Sequence, residues 1–85
     1  MFTIVTMKLT YDSRYNIAYI QFRSKKRIKV DSIKISEELI IDMSADGAVY
    51  GIELLNANKQ LYDKNSLHLL FVNEATGKKK DLKII

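Results

Sequence analysis

Apolar and polar residues alternate with a period of two through the first half of this chain, the pattern of strands that turn one face inward. Met7, Leu9 and Tyr11 alternate with Lys8 and Thr10, and Ala18, Ile20 and Phe22 share a face further on. Between them lies the polar, turn-forming run Asp12-Ser13-Arg14-Tyr15-Asn16. These runs predict a hairpin over Met7–Phe22. The phase then changes: Ile28 and Val30 fall on even positions, Ile33 and Ile35 on odd ones. A bulge or a change of strand near Asp31-Ser32 is expected. Glu37-Glu38 predicts a turn into a strand over Leu39–Met43.

The stretch Asp42–Leu55, DMSADGAVYGIELL, admits a chemical reading and a structural one. Asp42, Asp46 and Glu53 are carboxylates that a metal or a proton transfer would use. Asp-Gly between alternating apolar runs, however, is a strong hairpin signal, because a type I′ turn needs positive φ at both centres. A two-residue loop at Asp46-Gly47 sets Met43 opposite Tyr50, Ile41 opposite Ile52 and Leu39 opposite Leu54, every pair apolar. A four-residue loop, Ser44–Gly47, keeps the same faces, whereas a simple three-residue loop would set Ile41 against Gly51. On the other face Asp42 opposes Gly51, with Glu53 on the diagonal roughly 7–8 Å away. That spacing is too sparse for a hard cation, which wants several oxygens in a tight set. The hairpin is the better account.

After Leu54 the pattern changes to a short helical stripe, Leu54, Ala57, Leu61 and Tyr62, with Asn56, Asn58, Lys59 and Gln60 outside it. Strand character returns at Leu67–Val72. Asn73–Lys78 has loop chemistry and Asp81–Ile85 is the expected returning strand. The fold class is therefore α+β: about five to seven short strands, mainly antiparallel, with one short helix, in a single small domain over residues 1–85.

Composition narrows function mainly by exclusion. The absence of cysteine removes disulfides, zinc-thiolate sites and thiol catalysis. A chain of 85 residues buries only about 60–65% of its unfolded surface, so an oligomer or a partner would help it. No signal peptide or membrane-spanning run is present, and a cytoplasmic protein is expected. No phosphate-binding glycine loop or zincin motif occurs. The one histidine, His68, sits between leucines and reads as an ordinary strand residue. We expect no enzyme activity and no cofactor.

Charge adds a layout to the net +4. Arg23, Lys25, Lys26, Arg27, Lys29 and Lys34 form a basic block; Glu37, Glu38, Asp42, Asp46 and Glu53 follow without a base; Lys78, Lys79, Lys80 and Lys83 make the tail basic again. Such blocks suit a charged or self-complementary partner. Arg23, Lys25, Lys26, Arg27 and Lys29 are the candidate binding residues, for a protein or for nucleic-acid phosphates with Tyr19 or Phe22 stacking on bases. Lysines also protect exposed strand edges.

MKLTYDSRYNIAYIQF and ISEELIIDMSADGAVYGIELLNANKQL together resemble the prokaryotic family catalogued as domain of unknown function 2283. The matching positions are Tyr11, Asp12, Tyr19, Ile20, Asp42, Asp46, Gly47, Gly51, Ile52, Glu53 and Leu54. Asn16 departs from it where an acidic residue is usual, and Ala18 where a larger aliphatic is usual. The resemblance covers residues 7–61, leaving residues 62–85 as an extension with a hairpin. It implies a small β-rich domain without an established activity, some of whose relatives are antitoxins encoded beside small RNase-like toxins. The function expected is a non-catalytic interaction module, antitoxin-like, that binds a protein or itself. Nucleic-acid binding through Arg23–Lys34 is the alternative.

Overall fold

A computed structural model of the protein describes residues 6–23, 29–61 and 67–84. Seven strands and one helix follow in the order β1 (Lys8–Asp12), β2 (Ile17–Gln21), β3 (Val30–Ser36), β4 (Leu39–Ser44), β5 (Val49–Leu55), α1 (Ala57–Leu61), β6 (His68–Asn73) and β7 (Lys78–Lys83). The first five make one antiparallel sheet in the order β1-β2-β5-β4-β3, so that β1 and β3 are its edges; β6 and β7 make a separate two-stranded sheet. The expected α+β class and both terminal hairpins are present, but the last strand runs over Lys78–Lys83 and not from Asp81, and Asn73 belongs to β6 and not to the loop.

Register assigns the faces. Leu9 pairs with Ile20 and Tyr11 with Ala18; Ala18 pairs with Leu54 and Ile20 with Ile52; Leu39 and Ile41 pair with Leu54 and Ile52; Ile33 pairs with Ile41. One face is therefore apolar across five strands. The other carries Thr10, Tyr19, Gln21, Gly51, Glu53, Asp42 and Ser32.

The β4–β5 turn differs from the predicted type I′. Gly47 has φ +86°, while Asp46 has no positive φ. Ser44 N–H donates to Ala48 O at 2.8 Å and Gly47 N–H to Ser44 O at 3.0 Å, which closes a three-residue loop, Ala45–Gly47. Such a loop alone would reverse the faces. The register instead shifts between Asp42 and Met43, so that Met43 meets Val49 and not Tyr50. That bulge absorbs the odd residue, and the pairs Ile41–Ile52 and Leu39–Leu54 stand as parity requires.

β3 also departs from expectation. It runs unbroken through Asp31-Ser32, and its irregularity lies between Lys34 and Ser36. Val30 lies on the polar face. An edge strand exposed over most of its length does not enforce strict alternation, so its phase is a weak guide.

α1 has only five residues, too few to form without outside support. Asn16, in the β1–β2 turn with φ 57°, supplies it. Its backbone O accepts from Ala57 N–H at 2.9 Å and its Oδ1 from Asn58 N–H at 2.9 Å, capping the first turn from across the fold. Its amide donates to Asn58 Oδ1 at 2.6 Å and Asn56 Oδ1 at 3.0 Å. A carboxylate here could make neither of the last two bonds, which explains why asparagine suits this chain at position 16. Leu54 belongs to β5, and Tyr62 lies outside the described residues.

The packed centre is small. Ala18, Leu54 and Ala57 are buried, with Ile20, Leu39, Ile52 and Leu61 packed around them. Among the described residues no large side chain is fully buried. The radius of gyration is 14.7 Å and the extents are 39 × 35 × 21 Å. A closed domain of this length would have a radius of about 12 Å. Among the described residues, one face of the five-stranded sheet is covered in part by α1 and faced at its β1–β2 end by the β6–β7 hairpin.

Candidate functional site

On the polar face, Tyr19 from β2 reaches across β5 to Asp42 on β4. Its phenol donates to Asp42 Oδ2 at 2.7 Å, and Ser32 Oγ on β3 donates to Oδ1 at 2.6 Å. The path crosses Gly51, where a Cβ would collide with the Tyr19 phenol. Glycine on β5 is thus what lets an aromatic lie flat over the sheet. Burial, reinforced by the Asp42 carboxylate, pushes the Tyr19 hydroxyl above its ordinary value and keeps it a donor. Both carboxylate oxygens of Asp42 are occupied. Among the described residues no group of three metal-ligating side chains comes together. The cluster ties β2, β3 and β4 together across β5.

The basic block is less free than its composition suggests. Arg23 Nη1 bonds Asp46 at 3.0 Å and donates to Ser44 Oγ at 3.3 Å, returning to the β4–β5 turn. That bond, with the Ala48 N–H, holds the Asp46 carboxyl below its usual value. Lys34 Nζ sits 3.2 Å from Glu37. Lys29 is exposed; Lys25, Lys26 and Arg27 lie outside the described residues. Elsewhere Asp12 is held low by the Arg14 guanidinium at 2.9 Å. His68 finds a carboxylate that the sequence could not place: its Nδ1 is 3.1 Å from Asp81 Oδ1, across the β6–β7 hairpin.

The apolar face offers the most surface. α1 covers only its middle. Ile33 and Ile35 on β3 are 48% and 55% exposed. At the β1–β2 end, Met7, Leu9, Ile20, Phe22 and Leu61 face Leu69, Leu82 and Ile84 of the terminal hairpin across an apolar cleft of about 590 Å³. The hairpin is exposed along both strands, with Leu69 at 52%, Leu70 at 56% and Phe71 at 63%. An area of this kind is what a partner covers. Alternation located the face; the helix's failure to cover it became visible only once its length was known.

Among the described residues no helix is long and apolar enough to cross a membrane. A family model described as "Protein of unknown function (DUF2283)" matches residues 8–58, more than half of the chain, and ends before β6 and β7. No match was found among curated proteins or among solved structures.

Proposed function

This chain belongs to the DUF2283 family of unknown function, and from that premise we propose a non-catalytic interaction module that binds a protein or a second copy of itself in the cytoplasm. The observation that carries this reading is the apolar sheet face, left open over β3 and beyond the cleft. An antitoxin-like role is the finer form of the same reading, with the covered partner being a small toxin-like protein; it rests on the family resemblance alone.

Nucleic-acid binding ranks second because two of the three described members of the basic block, Arg23 and Lys34 but not the exposed Lys29, have local uses. Arg23 and Lys34 are neutralised by Asp46 and Glu37 before any phosphate arrives. The discriminating measurement is fluorescence anisotropy of a labelled generic RNA titrated with the chain at low ionic strength. No saturable binding is expected in the micromolar range. A sub-micromolar complex whose affinity falls steeply with salt, and which is abolished by reversing Lys25, Lys26 and Arg27 to Glu, would put nucleic acid first. The interaction reading itself is tested with a hydrophobic dye: the dilute chain should brighten it, and Ile33→Glu should reduce the signal.

A further inference from the structure

We propose that two copies of this chain associate reciprocally, the β6–β7 hairpin of each lying over the uncovered β3 side of the other's apolar face. The inference rests on the interaction reading and names its partner.

Surface area comes first. The protein exposes 7194 Å². A folded monomer of 9.8 kDa is expected to expose about 5,200 Å². The chain is thus about 2,000 Å² more open than a closed monomer of its mass, and an obligate homodimer interface is of that order or larger.

The hairpin supplies the second argument. Two strands alone are marginal in water, and β6 is apolar on both faces, Leu69 and Phe71 alternating with Leu70 and Val72. Toward its own five-stranded sheet the hairpin turns Leu69, Leu82 and Ile84 across the cleft, and these stay 52%, 43% and 43% exposed. Leu70, on the hairpin's other face, and Phe71, nearer its turn, lie outside the cleft lining and are 56% and 63% exposed. A receptor of matching character exists on the same chain at Ile33 and Ile35.

Charge points the same way. β7 carries Lys78, Lys79, Lys80 and Lys83, none of them in an ion pair among the described residues. Asp31 lies on the apolar face of β3, in register with Met43, and is likewise unpaired among the described residues, whereas Glu37 in the following turn is paired with Lys34. An apolar hairpin rimmed by unpaired bases and an apolar face that carries one unpaired acid, Asp31, occur in one molecule. A two-fold axis then satisfies both at once, because each contact is made twice.

The test is sedimentation velocity of the full chain over a range of concentrations, alone and with Phe71→Glu or Ile33→Glu. The native chain should be a dimer, and each variant should raise the dissociation constant by about tenfold or more while keeping its far-UV spectrum. Should either glutamate unfold the chain, serine at the same position carries the measurement. Mixing the two variants should restore dimers in part, because the Ile33→Glu chain retains a sound hairpin and the Phe71→Glu chain a sound face. A hairpin-to-hairpin or face-to-face interface would show no such recovery and would overturn the proposal, as would a native dimer indifferent to both substitutions. A native monomer at high micromolar concentration also overturns it. If that monomer brightens a hydrophobic dye, the interaction reading survives with a different protein as partner; if it is dye-silent, both fall.

Discussion

At position 51 a single methyl group meets the Tyr19 phenol that braces Asp42. Gly51→Ala should therefore destabilise the fold by about 1–3 kcal/mol, as overpacking does. In a Tyr19→Ala background the penalty should disappear, which a double-mutant cycle on urea midpoints reads directly. An equal cost in both backgrounds would show that the glycine is needed for its own backbone. In the DGxxxGIEL stretch, which first admits a metal or proton-transfer reading, Gly47 serves a turn and Gly51 lies beneath an aromatic ring.

Among the elements, the β4–β5 hairpin is the one on which most of the fold depends, since β5 joins the β1–β2 unit to β3–β4. Gly47→Val should cost about 1–2 kcal/mol or more for forcing a β-branched residue to positive φ. Leu54→Ala, at the buried centre, should cost about 2–5 kcal/mol, and Ile41→Ala less, because Ile41 is only half-buried. Thermal melts that rank Ile41 above Leu54 would contradict this placement of the core. Alternation made the strands, the hairpins and the apolar face legible in the sequence, since each rests on neighbours a few residues apart. The bulge that rescues parity after a three-residue loop was not legible, because it pairs two residues with one and has no composition of its own. Asn16 capping α1 across 42 residues, and Arg23 returning to Asp46, are long-range polar contacts that no local pattern announces.

For the molecule as a whole, pH and concentration are the readable variables. Asp46 and Asp12 titrate below their ordinary range when folded, held there by Arg23 and Arg14. A depressed carboxyl contributes stability above its unfolded value, and that contribution is lost as pH falls through the folded value. The difference in stability between the native chain and Arg23→Gln should therefore be present at neutral pH and close as the solution is acidified past both values, as read from denaturant melts at each pH. A gap that persists at the acid end would assign Arg23 its effect through packing and not through Asp46. Concentration acts through the open face: any partner that binds only the folded state raises the melting temperature as it is added, a second copy included.

The exposed distal hairpin and β3 edge also bear on how long the protein survives in a cell. Proteases and chaperones act on apolar segments that nothing covers, and small changes in the covered fraction shift abundance several-fold. A chain whose Phe71, Ile33 and Ile35 are hidden only while bound would be cleared when scarce and retained when plentiful. Its steady-state level would then rise more steeply than its rate of synthesis, so that abundance would not be proportional to gene dosage.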